Sequence, residues 1–306
     1  MAVTVVGGPL RVRSRARGPL STQRKLTGFL CVIPAAVMLL VLMIWPTLQS
    51  IYYSFTDWNG AKANWVGFDN YVNGLLGSQD FPTIALNSAL VVLSVPIGVA
   101  VALIIAFLLA SVAKGRAVFR AIYFAPIALS WVVIGLAFGY LLSDRGPLNL
   151  ALRTMGLGGL AQDWLGQPST ALASLIVSFQ WAYFGINVTL LFTGMTTADQ
   201  SIIEAARIDG AGGLRLLRHI VMPQVRRYIE LCLVVTMSAG LTQIFGLIYT
   251  MTGGGPGSAT TTLEYALYIR SFSLGRFAQG SAFGVILFII CLALAALRLR
   301  SGARND

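Results

Sequence analysis

Six long runs of apolar residues, none containing a charged side chain, divide this chain of 306 residues. The runs cover residues 28–46, much of 81–113, 121–143, much of 168–198, 231 to about 253, and 277–297. A helix of about 20 residues crosses a hydrocarbon layer about 30 Å thick. The runs therefore predict an all-α integral membrane protein with six transmembrane helices. The first run, with 19 residues, exceeds the apolar stretch of about 7–15 residues in a signal peptide, and we expect it to be retained as a span.

The basic residues predict the orientation of these helices. Of the 22 Lys and Arg residues, 17 lie in the N-terminal tail, the second and fourth connections and the C-terminal tail. Cytoplasmic segments beside membrane spans carry an excess of Lys and Arg, so both termini are predicted to be cytoplasmic. The net charge of +11 then reflects topology and contact with lipid headgroups, and no nucleic-acid partner is expected. We predict a disordered basic tail over residues 1–26, a membrane domain over 27–297 and a second cytoplasmic tail over 298–306.

Residues typical of a self-sufficient pump, carrier or enzyme are missing from the sequence. Ion-coupled carriers usually hold charged side chains within their spans, but only Glu230 comes close, at the entrance of the fifth run. There is no GxxxxGK[ST] phosphate-binding loop, there is one histidine, His219, and the three cysteines have no CxxC spacing. We therefore expect no enzymatic activity, no catalytic residues and no metal site, and an energy source outside this chain.

A charged, glycine-interrupted segment, residues 199–223, separates the fourth and fifth runs. Asp199 is a candidate N-cap for a short helix with Ile202, Ile203 and Ala206 on one side. Asp209-Gly210 and Gly212-Gly213 should end that helix, and a second helix over 214–221 should end near Pro223, which lacks the backbone N–H. From the residues alone, two interpretations stay open: a surface on which a cytoplasmic partner docks, and an interfacial loop whose arginines meet lipid phosphates.

The spacing within this segment resembles the EAA signature loop of permease subunits of bacterial ATP-binding cassette (ABC) importers. The matching positions are Glu204, Ala205, Ala206, Gly210, Ile220 and Pro223. Met222 stands where that family usually has Leu, a change that conserves volume. The longer form EAARIDGAG is similar to the branch that imports carbohydrates, which includes maltose-type and glycerol-3-phosphate permeases. WVGFDNY at residues 65–71 and YTMTGGGPGSATTTLEYALY at 249–268 resemble further segments of that branch.

The resemblance implies a type I ABC importer permease fold in the bacterial plasma membrane. It also implies partners: a second homologous permease subunit, two ATPase subunits that hold ATP and Mg²⁺, and an extracytoplasmic solute-binding protein. This chain itself would need no cofactor. The residues implied in coupling to the ATPase subunits are Glu204, Ala205, Ala206, Asp209, Gly210 and Pro223. A sugar or related polyol would be the substrate.

Two helical stripes of polar and small residues are candidates for the substrate path. They consist of Gln180, Tyr183 and Asn187 on the fourth run and Thr236, Gly240 and Gln243 on the fifth. Amides and aromatic faces suit sugar hydroxyls and rings, and the maltose-type permease binds sugar from nearby positions on these spans. The alternative is contact between helices, because Gln, Asn, Thr and Gly also pack and hydrogen-bond across helix interfaces.

A secondary carrier or channel for a small neutral solute is the alternative function. It would fit the helical bundle but neither the uncharged spans nor the EAA-like segment. The glycine-rich stretch at 252–256 follows an apolar run and lacks the lysine of a phosphate-binding loop. It is predicted to form a turn on the outer side or a re-entrant loop.

Overall fold

The computed structural model describes residues 22–111 and 121–303, and within these ranges the chain is helical apart from loops and one isolated bridge between Thr56 and Trp65. The helices are α1 (Thr22–Leu39), α2 (Trp45–Tyr53), α3 (Phe81–Ser111), α4 (Ala121–Ala128), α5 (Trp131–Leu141), α6 (Pro147–Thr154), α7 (Pro168–Thr197), α8 (Gln200–Ile208), α9 (Gly213–Leu216), α10 (Met222–Gln224), α11 (Arg226–Thr242), α12 (Phe245–Met251), α13 (Leu263–Tyr268) and α14 (Phe277–Ala303). The predicted all-α class is confirmed.

Four helical segments are long and apolar enough to cross a membrane without interruption. They are Phe29–Tyr53, Phe81–Ala110, Pro168–Thr197 and Phe277–Ala296. The predicted third and fifth spans are instead pairs of helices that are bent at a short break. The bend between α4 and α5 is 108°, and the bend between α11 and α12 is 51°. The described part of the chain thus holds four candidate spans, or up to six if each bent pair crosses as one. The sequence predicted the helices but not these interruptions.

The break between α4 and α5 has a local cause. Pro126, which has no N–H to continue an α-helical ladder, lies in a 3₁₀ turn, and Leu129 and Ser130 adopt extended backbone angles. The Ser130 hydroxyl then accepts a hydrogen bond from the N–H of Val133 at 3.3 Å and caps the start of α5. A proline and a capping serine four residues apart therefore turn one apolar run into two helices.

The chain divides into two compact units, residues 1–49 and residues 50–306. In the first unit, α1 continues through a π-helical turn, Leu40–Ile44, into α2, and Pro34 does not interrupt it. In the second unit, Pro96 likewise lies within an unbroken α3. The helical start at Thr22 places residues 22–26 of the tail predicted to be disordered within α1, and residues 1–21 lie outside the described part.

The core of the second unit forms where α3, α7 and α11 pack together. Gly240 on α11 lets Val91 of α3 and Phe179 of α7 approach, since a Cβ there would lie 3.1 and 3.2 Å from their side chains. Gly185 on α7 similarly faces the backbone of Tyr123. The glycine-rich stretch after α12 forms turns, with left-handed backbone at Gly253 and Gly254, as predicted. Small residues in these helices thus allow close backbone packing, as in other membrane bundles.

The second halves of the two bent pairs pack against each other at Gly135. A Cβ added at Gly135 of α5 would collide with the Thr250 hydroxyl and lie 2.9 Å from the Leu247 carbonyl oxygen of α12. Because the carbonyl belongs to the backbone, α12 would have to shift.

We expect Gly135→Ala to destabilise the protein by about 1–3 kcal/mol and to lower the melting temperature of the purified protein. Gly159→Ala is the control, since a Cβ there meets nothing within 4 Å. Equal melting temperatures for the two variants would contradict this packing.

Candidate functional site: a cavity at two helix breaks and an exposed charged segment

A cavity of about 340 Å³ lies within the second unit. Its walls come from the α4–α5 break, from α7 and from α11 with the residue after it. The lining residues are Pro126, Ile127, Leu129, Trp131, Ile134, Ala182, Tyr183, Ile186, Val235 and Gln243. Both helix interruptions therefore contribute to a single cavity. Interrupted helices free backbone and side-chain polar groups at membrane depth, and this arrangement is typical of binding sites in transporters.

One polar pair stands in this otherwise apolar lining. The Tyr183 hydroxyl donates a hydrogen bond to Gln243 Oε1 at 3.0 Å, which leaves the Gln243 amide nitrogen with donors to offer. The Trp131 indole stacks on the Tyr183 ring with centroids 5.8 Å apart and an angle of 26°. The site thus combines flat aromatic surfaces with a phenol and an amide, which suits a ligand with apolar faces and hydroxyl groups.

The other four predicted substrate-path residues contact neighbouring helices and do not line this cavity. Gln180 donates to the Ser94 hydroxyl of α3 at 2.7 Å. Thr236 donates to Asn187 Oδ1 at 3.1 Å, and both side chains are buried. Gly240 provides close packing, as described above. These contacts fit the alternative interpretation, in which the four residues pack and hydrogen-bond between helices. A substrate role for them stays a prediction.

Trp131 and Glu264 are site residues that the sequence reasoning missed. Trp131 directly follows the break at Ser130, so its place in the cavity depends on that interruption. Glu264 is the only charged residue between Glu230 and Arg270, and this isolation was a signal that could have identified it. Its Oε2 accepts a hydrogen bond from the N–H of Ile244 at 3.0 Å, across the break between α11 and α12.

Glu264 lies on α13, outside the candidate spans, in an environment that disfavours its charge. Burial raises the pKa of this carboxyl to about 7, and the backbone N–H groups of Ile244 and Phe245 oppose the shift. Desolvation therefore outweighs hydrogen bonding to the charged form. The carboxyl bonds the backbone of Ile244, the residue that follows Gln243 of the cavity lining.

The segment 199–223 forms a compact, partly exposed surface. The Asp199 side chain accepts a hydrogen bond from the Ser201 N–H at 2.9 Å, so the predicted N-cap of α8 is confirmed. The hydrogen bonds from Ser201, first its hydroxyl and then its N–H, lower the pKa of the Asp199 carboxyl. Asp199 N–H in turn donates to Gln224 Oε1 at 2.9 Å. This bond joins the two ends of the segment.

The inner side of this segment packs on the main core. Ile203 is buried and Ala206 packs beside it, and Leu217 and Val221 are buried in the same cluster. Ile202, predicted to share the apolar side, is instead exposed. Successive helical residues are about 100° apart, so Ile203 and Ile202 cannot both face inward in this orientation of α8.

The outer side carries several residues of the EAA-like motif, whereas Ala206 and Ile220 pack against the core. Glu204, Ala205, Asp209 and Gly210 are exposed. Gly210 has φ +81°, a left-handed conformation that glycine adopts at little cost, so α8 ends where predicted. Two large apolar side chains beside this turn, Ile208 and Leu214, are 86% and 73% exposed.

The second helix of the segment ends near Pro223, as predicted, although Pro223 itself is helical and the last helical residue is Gln224. The chain is helical from Gly213 to Gln224 through α9, a π-helical turn (Leu217–Val221) and α10. Pro223 lies in the first turn of α10, where a missing N–H is tolerated. At the start of α11, Arg226 pairs with Glu230 at 2.8 Å, as expected for a carboxylate at the entrance of the fifth span.

The helical bundle, its candidate spans and the cavity at two helix breaks define a multi-pass membrane transport protein. Residues 94–301 match the family described as binding-protein-dependent transport system inner membrane component, and the chain belongs to this family. The prediction of an ABC importer permease is thereby confirmed.

Individual relatives agree with this assignment. The chain is 31% identical to the probable ABC transporter permease protein YurN of Bacillus subtilis, over 91% of this chain and 96% of the relative. It is 29% identical to the multiple sugar-binding transport system permease protein MsmF of Streptococcus mutans, over 90% and 95%. A bacterial alginate ABC transporter, solved with an alginate pentasaccharide-bound periplasmic protein, has a chain of the same fold: TM-score 0.79, 20% identity, 92% and 96% coverage.

The raised pKa of Glu264 predicts how stability changes with pH. A carboxyl with a higher pKa in the folded protein binds its proton more tightly there than in the unfolded chain. The Glu264 contribution to stability is thus fully present below its ordinary pKa of about 4.5 and is lost as the pH rises through about 7. We expect the melting temperature of the wild type, relative to Glu264→Gln, to fall between pH 5 and pH 8. Parallel pH curves for the two proteins would contradict the shift.

Proposed function

We propose that this chain is the permease subunit of an ATP-driven importer that carries a sugar or related polyol across the bacterial plasma membrane. The observation that carries the proposal is the cavity at the two helix breaks, with its Trp131–Tyr183 stack and its Tyr183–Gln243 hydrogen bond. Both termini are cytoplasmic in this proposal, which follows the distribution of Lys and Arg.

The chemistry of the cavity suits a carbohydrate. A pyranose ring presents C–H groups on its faces and hydroxyl groups at its edge. The Trp131 ring can pack against a face, while the Gln243 amide and the Tyr183 hydroxyl can hydrogen-bond to edge hydroxyls. Tyr183 is half-buried and Gln243 is exposed in this structure, so a ligand in the cavity can reach both groups. The relatives named for sugar or alginate transport support the same substrate class.

Transport would be driven by two ATPase subunits that bind ATP and Mg²⁺ and dock on the outer side of segment 199–223. Glu204, Asp209 and Gly210 are exposed there, and the small Ala205 permits a close approach. The exposed apolar side chains of Ile208 and Leu214 are suited to burial against a partner subunit. A second permease subunit and an extracytoplasmic solute-binding protein complete the proposed assembly.

The packing links this docking surface to the cavity. Ile203 and Val221 of the segment belong to the same buried cluster as Ile134, Ala182 and Ile244, which lie in or beside the cavity wall. A close-packed core transmits displacement as a body. Movement of the docked segment would thus reposition the cavity, as alternating access requires. A secondary carrier would have no need for the exposed segment, and the family match also favours the importer.

The cavity residues should determine the affinity for sugar. We expect Tyr183→Phe and Gln243→Leu to raise the half-saturating sugar concentration about tenfold or more, the effect of losing one or two hydrogen bonds. Uptake is measured in proteoliposomes holding the complete transporter, with glucose, maltose, raffinose and glycerol-3-phosphate as probes. Tyr140→Phe is the matched control, because Tyr140 is exposed and does not line the cavity. Unchanged half-saturation in both cavity variants would contradict the proposed site.

Coupling should depend on the exposed residues of segment 199–223. We expect Glu204→Lys to abolish uptake and substrate-stimulated ATP hydrolysis, because it reverses a charge at the docking surface, while the subunit still inserts in the membrane. Gly210→Val should have the same effect, since φ +81° strains any β-branched residue. Asp144→Lys, a charge reversal at an exposed residue of another loop, is the control. Normal uptake in both segment variants would refute the coupling role.

A further inference from the structure

The break between α11 and α12 leaves backbone N–H groups that need partners. Every helix begins with N–H groups that have no carbonyl one turn earlier, and such groups are costly when buried away from water. Ile244 is completely buried and precedes α12. No side chain within the break caps α12, so the partner must come from elsewhere in the chain.

Glu264 supplies that partner from 20 residues further along the chain. Its Oε2 lies 3.0 Å from the Ile244 nitrogen. A carboxylate at the start of a helix accepts these N–H groups and also interacts favourably with the helix dipole. An N-cap residue usually lies directly before the helix whose N–H groups it accepts. Glu264 has this capping role for α12 although it is distant in the sequence.

Hydrogen bonds to α3 hold the part of the chain that carries this carboxylate. The Leu263 N–H donates to the Ser88 hydroxyl at 2.9 Å. The Asn87 amide donates to the carbonyl oxygens of Ser258 and Thr261 at 2.9 and 3.0 Å. Because α3 is a long uninterrupted helix, these bonds fix the start of α13 and with it the Glu264 backbone. The cap is therefore delivered by a rigid element and not by a flexible loop.

The capped residue is adjacent to the polar residue of the cavity. Gln243 immediately precedes Ile244, and its side chain receives the hydrogen bond from Tyr183. The position of the Gln243 amide thus depends on the backbone course of the break. We propose that Glu264 is a positioning residue: by capping α12 it fixes the break and holds Gln243 in the cavity. The link to substrate affinity rests on the proposed function, whereas the cap itself does not.

Backbone hydrogen exchange tests the cap without a substrate. The complete transporter in lipid nanodiscs is compared as wild type, Glu264→Met and Glu264→Gln. Methionine has a similar length but cannot accept the N–H bonds, whereas glutamine keeps an acceptor oxygen and loses only the charge. We expect the amide of Ile244 to exchange about ten- to a hundredfold faster in Glu264→Met, the factor that a lost hydrogen bond implies. Glu264→Gln should stay within a few-fold of the wild type. Asp144→Asn, which removes a carboxylate from an exposed residue of another loop, is the control and should leave this exchange unchanged.

One exchange result would overturn the proposal. Wild-type exchange of the Ile244 amide in Glu264→Met would mean that the Glu264 side chain does not cap the break.

Uptake kinetics test the consequence for Gln243. With whichever probe sugar the wild type transports, Glu264→Met should raise the half-saturating concentration several-fold more than it lowers the maximal rate, and Glu264→Gln should restore it. A normal half-saturating concentration in Glu264→Met would refute the positioning role even if exchange confirmed the cap. If no probe sugar is transported by the wild type, the proposed function fails, while the exchange measurement still decides whether Glu264 caps the break.

Discussion

A helix interrupted inside the apolar part of a membrane protein must find new partners for its backbone N–H groups, because water cannot supply them there. The described part of this chain holds two such bent helix pairs, and the N–H groups at the two breaks find partners in two different ways. At the first break the partner is local, the Ser130 hydroxyl. At the second it is remote, the Glu264 carboxylate. The cavity lies where these two breaks meet α7, so the candidate site exists only as long as both breaks are satisfied.

The difference between the two caps explains what could be predicted from the sequence. The helical class, the N-cap at Asp199 and the glycine end of α8 follow from local residue patterns, and each was predicted correctly. The first break also has local signals, Pro126 and Ser130, but these lie in an apolar run whose length alone indicated a span. The second break occurs at Gln243 and Ile244, which neither bend a chain nor cap a helix. The N–H group of Ile244 at this break is bonded by a residue 20 positions away, and hydrophobic periodicity cannot reveal such a contact.

The same distinction applies to the candidate site. A helical stripe places residues on one side of a helix but does not say what that side faces. Tyr183 and Gln243 line the cavity, whereas Asn187 and Thr236 lie on the same stripes and bond to each other between α7 and α11. Trp131, which no stripe identified, provides the aromatic wall. Which polar residues line the cavity is thus decided by the packing of α4, α5 and α11 against α7.

This arrangement also constrains how the protein could change conformation under the proposed function. The docking segment, α7, α11 and α12 contribute to one buried cluster, and a well-packed core resists internal rearrangement. Access to the cavity would then change by movement of this body against a partner subunit, and not by opening of a local gate. The Glu264 cap fits that mechanism, because it preserves the geometry of Gln243 while the body moves. Ligand affinity would differ between states only through what the partner adds or removes at the open side of the cavity.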